Sequence, residues 1–433
     1  MHILVLPSEE YVPAYSPLAG IFQQHQISVL TEISSYQIGV ISINLRISLP
    51  MIIKALLFRL LARTVNNDLR SLSIIELVSL ARNKLFHIDK YISAETQAGV
   101  NIVRVEGLYY FPPSEKTDYI SWIKAGLSAF DIYVKKFGLP NVIHAHNTVN
   151  AGLLAREIKR KFKVNYLLTE HSSYYHQNLI PQKMYSKIFL AIESASGFTV
   201  VSPKLKDSII DKVGDVASSA LCLPNVLPPL YEYQAVEEKT HFKQKSGKFI
   251  FLSVGNLLPV KGHEFLIRAF SEFVNLHDDV LLKIVGDGPL RQDLASLVVK
   301  LNLNNKVEFL GEVSANAVRA EMLNASVFVF PSRFETFGVA LIEAMSCGLP
   351  VISTACGGPD LIVNDETGIL VEPESIDSMR LGLEWAIEKS SGLDPESIRK
   401  SVVDRFGKHQ FFEKLNKHYV DIADLNNSNS CVV

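Results

Sequence analysis

The rhythm of apolar runs along the chain constrains its fold more than any single residue does. Short, β-branched segments fall at His2–Leu6, Gln37–Ile43, Val100–Val105, Val142–Ala145, Val164–Thr169 and Phe198–Ser202. After a proline-rich passage at 221–234 they resume at Phe249–Gly255, Val280–Val285, Lys306–Leu310, Val327–Phe330 and Pro350–Ser353. Most lack polar alternation, as parallel strands covered on both faces do. Amphipathic stretches at 149–161, 261–275, 288–301, 337–346 and 376–389 lie between them and read as helices. Alternating β and α segments predict an α/β fold of doubly wound parallel sheets. A chain of 433 residues is too long for one core, so two such domains are expected, dividing near residue 225. The last residues, 426–433, have no periodicity and read as a frayed tail.

Charge and cysteine content narrow the function classes. The net charge of −2 argues against bulk nucleic-acid binding. It is unevenly placed: residues 1–225 carry +6 and the remainder −8. A basic N-terminal half facing an anionic surface and simple scatter of surface charge are equally good readings. None of Cys222, Cys347, Cys356 and Cys431 is spaced as a zinc or disulfide pair, which makes a reducing compartment the default. The opening MHILVLPSEE reads as a first strand, not a signal peptide. The apolar stretch near Pro50–Ala62 is broken by Lys54 and Arg59 and is too short to span a bilayer. Residues 46–90 read as helical, and their basic residues form no single stripe. A helix packed on its own domain is therefore preferred to one lying on a membrane.

The chemistry concentrates in FVFPSRFETFGVALIEAMSCGLPVIST, residues 328–354. A strand ends at Pro331, a short loop holds Glu335, and a helix opens near Phe337 and runs through Glu343 to Gly348. Glu335 is thereby placed at the carboxyl end of a parallel strand, the edge where open α/β sheets bind ligands. The backbone N–H groups of Thr336, Phe337, Gly338 and Val339 are expected to face the same space and to suit a phosphate. In FLSVGNLLPVKGHEFLIRAF, residues 251–270, a second strand–loop–helix carries Asn256 and Lys261. In LKIVGDGPLRQDL the loop at Gly286 is no dinucleotide fingerprint, and on its own is a tight turn. His144 and His146 share one side of their strand, and His171 stands at the mouth of the next. His146 and His171 have no third partner at a zinc spacing, so no metal site is expected.

Glu335 and Glu343 enclose seven residues, and with P-S-x-x-E-T-F-G and E-A-M-x-x-G-x-P-V-I around them the segment resembles glycosyltransferase family 4, retaining enzymes of the GT-B fold. The resemblance implies two Rossmann-like domains facing across a cleft: residues 1–225 on the acceptor side, 226–407 binding a nucleotide sugar, and a helix at 408–425 packing back on the first. It assigns Glu335 to the donor sugar, Glu343 to the nucleotide ribose and Lys261 to the diphosphate. The family's usual arginine is replaced by Asn256, which removes one positive charge. By the same resemblance Gly286 lies near the nucleotide, Gly20 near the donor phosphates, and His171 near the anomeric carbon. His146, Asn147, Ser172, Ser173 and Tyr174 fall on the acceptor side. No D-x-D sequence occurs, and Lys261 with a helix dipole takes the place of a metal ion.

The implied activity is transfer of a sugar, with retention, from a nucleotide-sugar co-substrate to a glycan or lipid-linked acceptor, with no other cofactor. The implied setting is surface polysaccharide biosynthesis in the cytoplasm, with peripheral contact to the inner face of a membrane. An epimerase or phosphorylase of the same fold, and a non-catalytic nucleotide-sugar-binding partner, remain alternatives on these residues.

Overall fold

The structure is a computed structural model and describes residues 1–8, 11, 21–48, 92–109, 118–232 and 247–429. Gly20, nearly all of the 46–90 segment and Cys431 lie outside the described residues. Arg46–Ser48 is strand, not helix.

Two parallel-sheet α/β domains make up the chain, the GT-B arrangement. The first sheet has eight strands: β1 (His2–Leu6), β2 (Gln37–Ser48), β3 (Ile92–Gln97), β4 (Val100–Tyr109), β5 (Val142–His146), β6 (Tyr166–Glu170), β7 (Gly197–Val200) and β8 (Leu221–Cys222). Their order is β3-β4-β2-β1-β5-β6-β7-β8. The second has six: β9 (Phe249–Val254), β10 (Val280–Val285), β11 (Val307–Gly311), β12 (Val327–Phe330), β13 (Val351–Thr354) and β14 (Gly368–Val371), in the order β11-β10-β9-β12-β13-β14. The central strands β1, β5, β6, β12 and β13 are buried along their whole length, which is why their sequences show no alternation. Each fully buried aliphatic side chain in them contributes about 1.5–3 kcal/mol of transfer free energy.

The expectation of purely parallel pairing fails at one edge. β3 runs antiparallel to β4 through a turn at Ala98 and Gly99, both at positive φ. Its sequence ISAETQ is largely exposed, so it lacks the apolar run that marked the buried strands. β8 and β14 were missed for a different reason: they are only two and four residues long.

The two halves are tied at the back. The amide of Leu227 donates to Phe406 O at 2.8 Å, and the chain then enters the helix Lys408–Asn429, which reaches past residue 425 into the segment read as a frayed tail. That helix crosses to the first sheet. Its Tyr419 hydroxyl meets His144 Nδ1 at 2.7 Å, Asn416 accepts from the Tyr36 hydroxyl, and Lys408 pairs with Glu32.

Candidate active site

Four of the described helices begin with a side-chain cap. Ser202, Ser314, Ser375 and Asp394 each accept an amide of the first turn, at 3.3, 3.3, 3.1 and 2.9 Å. The helices His263–Phe273 and Val339–Ser346 start at Gly262 and Gly338 with no side-chain cap, and they follow the loops holding Lys261 and Glu335. First-turn amides without a cap, at the positive end of a helix dipole, form an anion site. The carboxyl end of Val339–Ser346 is fixed by Arg399, whose guanidinium donates to Ser346 O at 3.1 Å.

The loops of Lys261 and Glu335 are stitched together by backbone. Arg333 N donates to Val260 O at 2.8 Å. Gly262, at φ 67°, sits so close to Pro331 that a Cβ there would lie 2.0 Å from the Pro331 carbonyl oxygen. Only glycine fits both the conformation and the contact. The result is an ion pair between Lys261 Nζ and Glu335 Oε2 at 2.5 Å, with side-chain exposures of 26% and 17%. The Lys261 ammonium also stands 5.6 Å from the centroid of the Phe330 ring.

A third segment, Cys356–Pro359, was not singled out from the sequence. The amide of Gly358 donates to Glu335 O at 2.7 Å, and Glu335 N donates to Cys356 O at 3.2 Å. A Cβ on Gly358 would fall 2.3 Å from the Phe337 backbone. This clasp sets the direction of the Glu335 loop. The Gly-Gly-Pro run directly after a strand was the signal available for it.

Of the other residues expected on the donor side, Thr336, Phe337 and Gly338 are buried and Val339 partly so. Glu343 lies one helix turn below them, and burial pushes its carboxyl up to about 8. Its carboxylate makes no hydrogen bond or ion pair among the described residues. Asn256 is exposed at the end of β9, and Gly286 N donates to Gly311 O at 2.8 Å as β10 closes.

Across the cleft, the histidines form a buried relay. His171 Nδ1 faces Asn225 Oδ1 at 3.1 Å and its Nε2 faces His146 Nδ1 at 3.0 Å. The His146 ring lies 4.2 Å from that of His144, whose Nε2 meets Thr169 Oγ1 at 2.7 Å. Burial holds His171 down to about 3 and both other rings below their usual range. Asn147, at φ 70°, accepts from His171 N at 3.0 Å. Glu170 accepts from Thr148 N and Oγ1, His171 N and Ser172 N at 2.8–3.0 Å, so the strand end is rigid. The Gln177 side-chain amide donates to Ser173 Oγ at 2.6 Å, and Tyr174 is half exposed. No sequence signal marked Asn225 or Glu170. Among the described residues no three His, Cys, Asp or Glu side chains stand where they would hold a metal ion.

Comparison with known proteins fits this geometry. Residues 236–401 match the family Glycosyl transferases group 1, and residues 83–225 match Glycosyltransferase Family 4. One match falls on each of the two parallel-sheet domains of the GT-B fold. An Anabaena protein, HepE, solved in complex with UDP, superposes with a TM-score of 0.67 at 16% identity, over 96% of this chain and 99% of that one, and so has the same fold. The phosphatidylinositol N-acetylglucosaminyltransferase GPI3 subunit of Saccharomyces cerevisiae is 24% identical over 60% of this chain. The matched region spans 59% of that subunit's length. A Campylobacter jejuni 4-alpha-N-acetylgalactosaminyltransferase acting on a diphospho-undecaprenol-linked sugar is 34% identical over 42% of this chain and 46% of its own length. No helix among the described residues is long and apolar enough to cross a membrane.

Proposed function

We propose that this chain transfers a sugar from a nucleoside diphosphate donor to a glycan or lipid-linked acceptor, with retention and without a metal ion. The single observation that carries the reading is the Lys261–Glu335 pair beside the uncapped start of Val339–Ser346. Cleavage of the anomeric bond leaves negative charge on the diphosphate. A lysine and a row of amides stabilise that charge without reorganising. Glu335 orients the sugar through its hydroxyls, and Glu343 accepts from the ribose hydroxyls. The structure of HepE in complex with UDP supports UDP as a first donor nucleotide to try.

Retention follows from the likeness of the Glu335–Glu343 motif to retaining enzymes. Front-face attack, with the leaving phosphate oxygen taking the acceptor proton, needs no nucleophile on the chain. His171 has both ring nitrogens turned to protein partners, so its direct part is to wall the anomeric centre as a neutral ring. It polarises a sugar hydroxyl only by releasing Asn225 or His146. On this reading residues 1–225 hold the acceptor and 226–407 the donor. The lipid-linked substrate of the Campylobacter relative makes a carrier lipid on the inner membrane face the acceptor class to test first.

The deciding experiment screens nucleotide sugars for thermal stabilisation and follows each hit by product analysis with and without acceptors. Transfer that depends on acceptor supports the reading. Conversion of donor alone to an epimer overturns it. One observation favours a second reading, binding without turnover: Asn256 leaves the site with one cation fewer. Stabilisation by a donor without any turnover across acceptors selects that second reading.

A further inference from the structure

The two halves meet again at the front of the cleft, beside Glu335. His176 of the first half stacks on Phe334 of the second, with ring centroids 3.6 Å apart and planes 3° from parallel. Phe334 directly precedes Glu335 and is left only 5% exposed, whereas His176 keeps its outer face in solvent. On the other side of the same loop, the stem of Lys204 lies against Gly357: a Cβ built there would meet Lys204 Cγ at 3.3 Å. Gly357 is the residue that bridges in parallel to Glu335. Lys204 also stands near enough to His176 to help burial lower the imidazole's basicity. The N-terminal half thus grips the Glu335 loop at two points, one on each flank.

We propose that His176, assisted by Lys204, is a positioning residue that clamps the Glu335 loop when the domains close. The acceptor-side segment that follows β6 and the carboxylate that meets the donor sugar are mechanically joined through this stack. Neither contact involves the diphosphate or ribose positions, so the clamp governs the geometry of Glu335 and not nucleotide affinity. A flat aromatic ring at 176 keeps the stacking surface, and a methyl group does not. The functional part of this inference rests on the glycosyl-transfer reading; the mechanical part does not.

Two measurements test it. In the unliganded protein, hydrogen exchange of peptides covering 333–340 and 355–360 is expected to quicken by at least about fivefold in His176→Ala. It should return near the wild-type rate in His176→Phe, and shift by less in Lys204→Ala. In turnover with a donor found by the screen, His176→Ala is expected to lose about tenfold in kcat with the donor KM moved less than about twofold, and His176→Phe to recover most of that loss. Unchanged exchange in His176→Ala, or no recovery in His176→Phe, overturns the clamp. Faster exchange with an unaltered kcat overturns the positioning role. Full turnover in Glu335→Ala removes the functional reading alone and leaves the exchange result to decide the clamp.

Discussion

The two walls of the cleft solve opposite problems. On the C-terminal wall, polar groups are left with capacity to spare: uncapped amides at Gly338 and Val339, an ion pair partly open to solvent, and a Glu343 carboxyl with no hydrogen bond or ion pair among the described residues. On the N-terminal wall, the polar groups satisfy one another: Asn225 to His171, His171 to His146, His144 to Tyr419 and Thr169. A wall with unsatisfied groups gains when a ligand completes them. A wall whose groups are already paired supplies shape and rigidity. The contrast extends to acid and base. Glu343 is raised from 4.5 to about 8, so its stabilising contribution is whole below 4.5 and fades as pH rises through 8. His171 is lowered from 6.5 to about 3, so its contribution is whole above 6.5 and is lost as pH falls toward 3. One wall weakens in base and the other in acid.

The comparison breaks most readily at Glu335. Glu335→Ala should lower turnover by about 10³-fold while the melting temperature stays within a few degrees, because its carboxylate serves the ligand side. A loss below tenfold would mean that the open wall is not where the reaction happens. Lys261→Met is expected to cost about 10²-fold in kcat/KM for the donor, measured by initial rates. It also strips Glu335 of its ion-pair partner. On the closed wall the largest effect should be on folding. His144→Phe orphans the Tyr419 and Thr169 hydroxyls and is expected to cost about 2 kcal/mol by denaturant titration, with kcat changed less than about threefold. If activity collapses while stability holds, the histidine relay belongs to the chemistry after all.

Three further effects sharpen the contrast. Glu343→Gln should remove the decline in stability between pH 5 and 9, a difference of up to about 5 kcal/mol if the whole shift is realised. In the wild type, nucleotide binding near pH 7 should release a fraction of a proton, since ribose hydroxyls favour the charged carboxylate. Calorimetry in buffers of different ionisation enthalpy reads this directly, and a buffer-independent enthalpy would count against Glu343 as the ribose group. Smallest of all, Asn256→Arg is expected to tighten donor binding about three- to tenfold. No gain would mean that the diphosphate lies elsewhere.

The parts of the site that could be read in advance are those where chemistry and local structure share one short segment. Glu335, the open amides and Glu343 fall within a strand–loop–helix, and Lys261 follows a strand of the same kind. The spacing of apolar residues placed both loops at one sheet edge. What escaped detection depends on partners distant in sequence. Cys356–Gly358 clasps the Glu335 loop from a neighbouring strand end, Asn225 reaches His171 from the passage between domains, and His176 meets Phe334 across the cleft. None of these has a periodicity, and each looks like an ordinary loop residue by itself. The antiparallel β3 was missed for a related reason: an exposed edge strand needs no apolar run.

The sequence alone determined that two parallel sheets form, and that an acid and a lysine each end up at a carboxyl edge, because burial on both faces and 3.6-residue helical periodicity are properties of consecutive residues. Tertiary structure decided that the acid and the lysine stand 2.5 Å apart, which histidine nitrogens are occupied, and which side chains of one half touch the other. Those outcomes depend on how two separately folded surfaces meet, and no local stretch of chain carries that information.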